Sequence, residues 1–373
     1  MTDDIPLSLP LPRNYGKDEW VLQFTEDDKE EIRRALQHFK SEPIGFLKRE
    51  SVLAANHGTG FGLEVEEVNQ RSFPLPILSQ KLEKLANDLH DPRQAFFVLS
   101  GLDIDQYTVE EATIIYLGVA SYVADQRGAQ DGAGNMLTHI TSSKLWNVPE
   151  SVRHGIHSTK ALPFHNDMGA DILALLARST AGHGGNTYLT HVTTVYNKLT
   201  DEERRVLLEP NWPVQTSGRL ERFYLGQALA FHDGRLMSSM DPHRFGPHPK
   251  ADPNTKIPKL TETQRRVLDR VSEVAKSAEI KLSLKKGDML FFNNWAVIHR
   301  RDAYQDGPDN SRHLVRLWLH NQRLGWSIPG TMLEPWLKAY GGRFNNGLYA
   351  LDPAATYKIP KYSAGSAAFV LDD

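Results

Sequence analysis

The chain has no cysteine among its 373 residues. This absence excludes disulfide bonds, thiolate metal ligands and a cysteine nucleophile. Its charges are nearly balanced, with 43 basic and 46 acidic residues, so we expect no broad basic surface that would attract nucleic acid or an anionic membrane. No apolar run approaches the roughly 18 residues that cross a bilayer, and the acidic, proline-broken N-terminus is not typical of a signal peptide. The sequence therefore predicts a cytoplasmic protein, and it leaves the oligomeric state open.

The chain has many short apolar runs with helical patterns inserted between them. Helices are predicted over residues 25–39, 77–89, 108–124 and 260–278, strands over 95–99 and most of 281–321, and a flexible loop over 128–134. A hairpin is predicted over 223–237, with its turn at Asp233 and Gly234. This pattern predicts a mainly β protein with inserted helices (α+β), in which helices buttress a double-stranded β-helix, or jelly-roll, core.

A His-Asn-Asp triplet occupies residues 165–167 and precedes an apolar run, 172–177, that predicts a buried strand. Side chains two apart on an extended strand point to the same face, so His165 and Asp167 could bind one metal ion. Such a triplet also arises by chance, and a solvated strand end is the alternative interpretation.

A candidate third ligand, His299, stands at the end of an apolar stretch beside a polar loop. The alternative is a core histidine that is bonded to a backbone carbonyl. Two imidazoles and one carboxylate can occupy one face of an octahedral Fe(II), which leaves the other positions open for an oxo acid and oxygen. The three residues together are thus the ligand set of a non-haem iron site.

Two arginines, Arg312 and Arg316, lie beside or on a predicted strand, where they share a face with Leu314. An arginine among apolar neighbours needs an anionic partner, and a carboxylate that accepts two parallel hydrogen bonds suits a guanidinium. That carboxylate could belong to a ligand or to the protein, so an internal salt bridge remains the alternative for each arginine.

Five segments agree in order, spacing and local sequence with a known family, and they cover most of residues 95–326: AFFVLSGLD, PFHNDMGAD, GGNTYLTHVTTVYNKL, GDMLFFNNWAVIHRRDAY and SRHLVRLWL. They resemble the TauD/TfdA family of Fe(II)/2-oxoglutarate-dependent dioxygenases. The resemblance implies that His165, Asp167 and His299 hold the iron. It further implies that Arg312 and Thr187 bind the far carboxylate of 2-oxoglutarate and that Arg316 binds an acidic group of the primary substrate. For Thr187 the alternative is an ordinary threonine of a β-strand.

The resemblance also implies a reaction. Fe(II) is the expected cofactor, with 2-oxoglutarate and O₂ as co-substrates. 2-Oxoglutarate is converted to succinate and carbon dioxide while an unactivated C–H bond of a small anionic substrate, such as an amino acid or a related amine or organic acid, is oxidised. Hydroxylation is the default outcome, and desaturation and oxidative ring closure start from the same substrate radical.

Three parts of the chain are predicted. Residues 1–94 form an N-terminal arm and helices that pack on the core, residues 95–326 form the catalytic jelly-roll with a proline-rich insertion at 241–258, and residues 327–373 form an extension that covers the site. Trp318, Trp326 and Phe344 are candidates for an apolar substrate wall or for core packing. Asn293 and Asn294 could orient a ligand or satisfy backbone groups at a bend.

Two other classes of function remain open. A zinc-dependent hydrolase could use the same three ligands, but it would give no role to Arg312 and Thr187. A non-catalytic jelly-roll binding protein would not need all three ligand positions intact.

Overall fold

The computed structural model describes residues 6–13, 16, 19–41, 68–216, 221–249, 251–308, 310–342 and 347–359. The helices in this part of the chain are α1 (Glu26–Ser41), α2 (Leu78–His90), α3 (Val109–Ala120), α4 (Val192–Lys198), α5 (Asp201–Leu208), α6 (Glu262–Ser277) and α7 (Leu333–Trp336). The strands are β1 (Val21–Gln23), β2 (Phe96–Ser100), β3 (Gln126–Gly128), β4 (Leu137–Thr141), β5 (Leu162–His165), β6 (Ile172–Ser179), β7 (His183–Gly184), β8 (Thr187–His191), β9 (Trp212–Gln215), β10 (Phe223–Gly226), β11 (Leu229–His232), β12 (Arg235–Ser238), β13 (Ile280–Leu282), β14 (Met289–Asn293), β15 (Val297–Arg301), β16 (Tyr304–Gln305) and β17 (His313–His320).

Two sheets form the core. The larger has seven strands in the order β1-β2-β14-β6-β17-β3, with β4 also paired to β17, and the smaller has the order β13-β8-β15-β5. Strand β1 runs parallel to β2, whereas the other pairings in these sheets are antiparallel. The fold is therefore mixed α and β, with a jelly-roll core, as predicted.

Side-chain alternation along β6 explains how the larger sheet divides two apolar cores. Leu173 and Leu175 pack in one core with Leu189 and Val297 of the smaller sheet. Ala174 and its like-facing neighbours pack in a second core with residues of helices α1, α2 and α3. Since successive residues of a strand point to opposite faces, a continuous apolar run serves both cores. Each large apolar side chain that is fully buried in this way contributes roughly 1.5–3 kcal/mol to the stability of the fold.

Two of the helices begin at a threonine whose side chain caps the helix. At α3, the hydroxyl of Thr108 accepts a hydrogen bond from the Glu111 amide, and the Glu111 carboxylate accepts one from the Thr108 amide. Thr200 and Glu203 form the same reciprocal cap at α5. Helix α3 is shorter than predicted, because residues 121–123 form a turn after Ala120.

The predicted hairpin is confirmed at its turn but is shorter than expected. Asp233 and Gly234 both have positive φ, 47° and 72°, and connect β11 to β12. Strand β10, however, pairs with β9 instead of joining that hairpin. Residues 241–249 and 251–258 contain no helix or strand, as the proline content predicts.

None of the described helices is both long enough and apolar enough to cross a membrane. The cytoplasmic location and the division at residues 94 and 326 stay predictions.

Candidate metal centre and co-substrate cavity

His165 and His299 face each other across two paired strands. The antiparallel register of β5 and β15 places them directly opposite one another, and their ring centroids lie 4.1 Å apart. Nδ1 of His165 donates a hydrogen bond to the carbonyl of Pro163 at 2.8 Å. Because a carbonyl can only accept, the proton sits on Nδ1, and the lone pair of Nε2 is available to a metal.

Asp167 does not lie on a strand, so the expectation that strand alternation brings it beside His165 is wrong. Strand β5 ends at His165, and Asp167 occupies the turn that follows. The side-chain amide of Asn294 holds this turn: it accepts from the Asp167 amide at 3.0 Å and donates to the carbonyls of Asp167 and Ala170 at 2.8 Å each. A residue from the connection between β14 and β15 therefore sets the position of Asp167.

The three predicted ligands lie together. His165, Asp167 and His299 each offer one ligand atom within 4.8 Å of the others, and no other such group of three is found among the described residues. Oδ1 of Asp167 lies 3.7 Å from Nε2 of His165 and has no hydrogen-bond partner in the described part of the chain, although the residue is only 1% exposed. A buried carboxylate oxygen without a donor is costly unless a cation neutralises it, so the arrangement fits a metal ion.

The second oxygen of the same carboxylate is fully engaged. Oδ2 of Asp167 accepts from Nη1 of Arg316 at 2.7 Å and from the indole nitrogen of Trp318 at 3.2 Å. These two donors fix the carboxylate plane, so only Oδ1 is available to a metal ion.

His299 is held in its neutral form. Burial lowers the pKa of His299 well below its ordinary value, and the neighbouring His165 and Arg316 charges lower it further. Metal binding requires an unprotonated imidazole, so this environment removes the competition from protons at neutral pH.

Arg312 is buried with unused hydrogen-bonding capacity. Its Nε donates to the carbonyl of Gly185 at 3.0 Å, whereas Nη1 has no partner in the described part of the chain. Burial, and then the charge of Arg301, lower the pKa of Arg312 to about 9. Gly185 has a φ of 72°, and a Cβ there would come within 2.7 Å of Cδ of Arg312, so only glycine allows this contact.

One cavity connects all the residues predicted from the sequence. It is lined by His165, Asp167, Thr187, His299, Arg312 and Arg316, together with apolar side chains that include Leu173, Leu175 and Leu314. Thr187 is both a residue of strand β8 and part of the cavity wall. The shared face predicted for Arg312, Leu314 and Arg316 is confirmed.

The model of the taurine catabolism dioxygenase TauD, TfdA family matches residues 56–318. The chain belongs to the TauD/TfdA family. This membership confirms the predicted family and the enzyme class, an Fe(II)/2-oxoglutarate-dependent dioxygenase.

Two curated relatives match most of this TauD/TfdA chain. The taurine hydroxylase-like protein SAT17 of Stachybotrys chartarum is 28% identical over 323 residues, which are 84% of the chain and 78% of the relative. FR-33289 synthase of Streptomyces rubellomurinus is 26% identical over 290 residues, which are 74% of the chain and 83% of the relative.

Solved structures of other oxygenases share the fold. Asparagine oxygenase in complex with Fe(II), 3-hydroxyasparagine and succinate matches with a TM-score of 0.60 and 16% identity, over 80% of this chain and 93% of the other. The non-haem iron oxygenase OrfP in complex with Fe and α-ketoglutaric acid matches with a TM-score of 0.57 and 18% identity, over 81% of this chain and 94% of the other. At these identities the likeness establishes the jelly-roll fold of the TauD/TfdA chain.

Arg316 shows the internal salt bridge that the sequence left open as an alternative. Its Nη1 pairs with Asp167, and its Nε donates to the side chain of Gln130 at 2.7 Å. Gln130 in turn donates to the carbonyls of Arg316 and Met136, at 3.0 and 2.6 Å. The predicted contact of Arg316 with the substrate stays a prediction.

Sequence reasoning missed Gln130, whose side chain accepts from Arg316. Gln130 falls in the stretch predicted to be a flexible loop, yet hydrogen bonds order that stretch: Gln130 and Asn135 pair backbone groups at 2.8 Å. Trp318 was expected at an apolar wall or in the core; it lies in the core, and its indole reaches Asp167.

Trp326 and Asn293 have the structural roles that the sequence left open as alternatives, and Trp326 packs in the core. The indole of Trp326 donates to the carbonyl of His90 at 3.2 Å. The side chain of Asn293 caps the amide of Trp295 at 3.0 Å, so it satisfies the backbone at a bend. Phe344 lies outside the described residues.

Proposed function

We propose that His165, Asp167 and His299 hold the Fe(II) of this dioxygenase, and that Arg312 and Thr187 bind the far carboxylate of 2-oxoglutarate. We further propose that the enzyme oxidises a C–H bond of a small anionic substrate of the amino-acid type, whose acidic group contacts Arg316. Hydroxylation is the expected outcome.

One observation carries the metal assignment. Oδ1 of Asp167 is buried, lacks a hydrogen-bond donor in the described part of the chain, and faces the imidazole of His165. If Asp167 had only a structural role, we would expect a hydrogen-bond donor beside its Oδ1, because an unsatisfied buried acceptor costs about 1–3 kcal/mol of stability. Two imidazoles and one carboxylate, with ligand atoms within 4.8 Å of one another, suit Fe(II) with open positions for exchangeable ligands.

Arg312 provides the corresponding argument for the co-substrate. Its Nη1 is a buried cationic donor without an acceptor in the described part of the chain, and it lines the same cavity as the metal group. A dianionic oxo acid would bind the metal through its keto and adjacent carboxylate oxygens and would place its second carboxylate against this guanidinium. Thr187 lines the cavity too, and its hydroxyl could donate a hydrogen bond to the same carboxylate.

The chemistry supplied by bound iron, 2-oxoglutarate and O₂ is the conversion of the oxo acid to succinate and carbon dioxide, coupled to oxidation of the substrate. The contribution of the chain is geometric and electrostatic. Asn294, Arg316 and Trp318 fix Asp167, while the apolar wall that includes Leu173 and Leu175 keeps water away from the open positions.

An amino-acid type of substrate is supported by the proteins of similar fold. Asparagine oxygenase is described with 3-hydroxyasparagine, and OrfP with L-arginine. In this chain the guanidinium of Arg316 lines the same cavity as the proposed metal ligands, where it could also pair with a substrate carboxylate. A screen of amino acids and organic acids for stimulated succinate release, with the product mass measured, would identify the substrate and distinguish the gain of oxygen from the loss of two hydrogens.

The metal and co-substrate assignment is tested by anaerobic addition of Fe(II) and 2-oxoglutarate. We expect a weak visible metal-to-ligand charge-transfer band that His165→Ala and Asp167→Ala abolish. His183→Ala, at an exposed residue of β7, is the control and should keep the band. Absence of the band from the wild-type protein at saturating 2-oxoglutarate would count against the proposed site.

The zinc-dependent hydrolase that the sequence left open does not agree with membership of the TauD/TfdA family, and it would also leave the unpaired guanidinium nitrogen of Arg312 without a role.

A further inference from the structure

Arg301 is another arginine that lines the cavity, and only one of its three guanidinium nitrogens makes hydrogen bonds in the described part of the chain. It is the last residue of β15, two positions after His299, and it is buried. Its Nη2 donates to three backbone carbonyls of the segment that precedes β5: those of Ser158 at 2.8 Å, Gly155 at 3.3 Å and Lys160. One nitrogen of the guanidinium thus holds a turn, residues 155–160, in place.

The other two nitrogens of Arg301 have no such role. Nε and Nη1 are both buried, and neither has a hydrogen-bond partner in the described part of the chain. The same holds for Nη1 of Arg312 and the hydroxyl of Tyr304. Four buried polar groups without partners, three of them on cations, are a large desolvation cost for one small region, so they indicate an anion that is taken up from solution.

These groups lie close together. The guanidinium carbons of Arg301 and Arg312 are 5.0 and 5.5 Å from the centroid of the Tyr304 ring, and both arginines line the cavity. Glu150, one of the acids whose charge acts on Arg301, is engaged elsewhere, because it accepts from Ser142 and Thr159.

Asp302, the other acid near Arg301, does not neutralise it by direct contact either. Its Oδ2 accepts from Asn186 at 3.0 Å and from Tyr188 at 3.3 Å, and its Oδ1 is buried without a hydrogen-bond partner in the described part of the chain. The charge of Asp302 acts on Arg301 and Arg312 from a distance, but among the described residues no ion pair joins it to either guanidinium group.

We propose that Arg301 is a second anion-binding residue of the co-substrate pocket, and that it binds the far carboxylate of 2-oxoglutarate together with Arg312. Because the same guanidinium holds the turn 155–160, whose Ile156 lines the cavity, binding of the dianion also stabilises that wall. This inference rests on the proposed co-substrate site.

The test compares two ligands that differ only at the far end. 2-Oxoglutarate carries a carboxylate there, and 2-oxovalerate carries a methyl group. Affinities are measured by calorimetry on the anaerobic Fe(II) protein, for the wild type, Arg301→Gln and Arg301→Lys. We expect Arg301→Gln to weaken 2-oxoglutarate about tenfold or more, which is a loss of about 1.4 kcal/mol, and to leave 2-oxovalerate within about threefold of the wild type.

Arg300→Gln is the matched control. Arg300 is the adjacent residue of β15, but its guanidinium is already paired with Glu279, at 2.6 and 2.5 Å. We expect its co-substrate affinity to stay near that of the wild type.

Hydrogen exchange of residues 155–160 supplies a readout that is independent of turnover. 2-Oxoglutarate should slow exchange there in the wild-type protein, and 2-oxovalerate should do so less. If Arg301→Gln does not fold, Arg301→Lys keeps the charge but loses the planar fork, and it should show the same selective loss to a smaller degree.

Two outcomes would overturn the inference: equal weakening of both oxo acids, which is the signature of a merely structural arginine, or unchanged 2-oxoglutarate affinity in a folded Arg301 variant. Failure of the wild-type protein to bind 2-oxoglutarate would instead count against the proposed function itself, so the two failures are distinguishable.

Discussion

Nη1 of Arg316 lies 2.7 Å from Oδ2 of Asp167, and the side chains are only 3% and 1% exposed. This buried pair joins a residue expected to contact the substrate to a residue expected to bind the metal. The arginine orients the carboxylate so that Oδ1 is left for a cation. Binding of a substrate carboxylate to Arg316 would therefore also affect a proposed metal ligand.

Replacement of Arg316 by alanine should weaken iron binding as well as substrate binding. The carboxylate of Asp167 loses its strongest donor, and loss of a residue that orients a metal ligand typically costs about 10–100-fold in metal affinity or activity. Fe(II) titration of the metal-free protein measures this. Arg316→Lys keeps the charge and should recover part of the affinity. Unchanged iron affinity in Arg316→Ala would show that Trp318 and the turn suffice to orient Asp167.

Replacement of Asn294 by alanine should destabilise the protein and displace Asp167. Three hydrogen bonds to the turn at Asp167 and Ala170 are lost, and each buried backbone group left unsatisfied costs about 1–3 kcal/mol. Thermal unfolding and Fe(II) titration measure the two effects. Asn87→Ala, on the exposed surface of α2, is the control. A variant of Asn294 with wild-type iron affinity would refute the positioning role.

Replacement of Arg312 by alanine should raise the requirement for 2-oxoglutarate far more than the requirement for the primary substrate. Removing one partner of a buried charge pair costs roughly 2–5 kcal/mol of binding free energy. Steady-state titration of each substrate at saturating levels of the other measures this. Equal effects on both would mean that the roles of Arg312 and Arg316 are misassigned.

The stability of the protein should fall in mild acid because of a buried histidine pair. Nδ1 of His139 lies 2.8 Å from Nε2 of His313, and burial lowers the pKa of His139 to about 4 and that of His313 to about 2. Histidines of the unfolded chain titrate near pH 6.5, so below that pH the unfolded state binds protons that the folded state does not. The stabilisation is thus fully present above pH 6.5 and is lost progressively as the pH falls toward 4.

The variant His313→Asn tests this pH dependence. It removes one titrating group, so its free energy of unfolding in denaturant should fall less steeply between pH 6.5 and pH 4 than that of the wild type. His183→Asn, at an exposed residue, should keep the wild-type slope. A wild-type slope in His313→Asn would show that other buried histidines account for the acid sensitivity.

The sequence by itself determined the chemistry of the site and the type of fold. Periodicity predicted helices α1, α2, α3 and α6 and the strands β2, β6, β14, β15 and β17, because burial on one face or on two leaves a pattern in neighbouring residues. It did not predict β1, β3 or β4. The residue types of His165, Asp167, His299 and Arg312, together with the family resemblance, were sufficient to predict the metal, the co-substrate and the class of reaction.

Only the tertiary structure decided how that chemistry is held in place. Asp167 lies in a turn rather than on a strand, and the residues that orient it, Asn294, Arg316 and Trp318, are distant in sequence. The unpaired nitrogens of Arg301 are likewise evident only once the neighbouring acids are located. Local sequence records which side chains favour burial or extended backbone, but hydrogen-bond partners between strands far apart in the chain depend on register and packing, which no local pattern records.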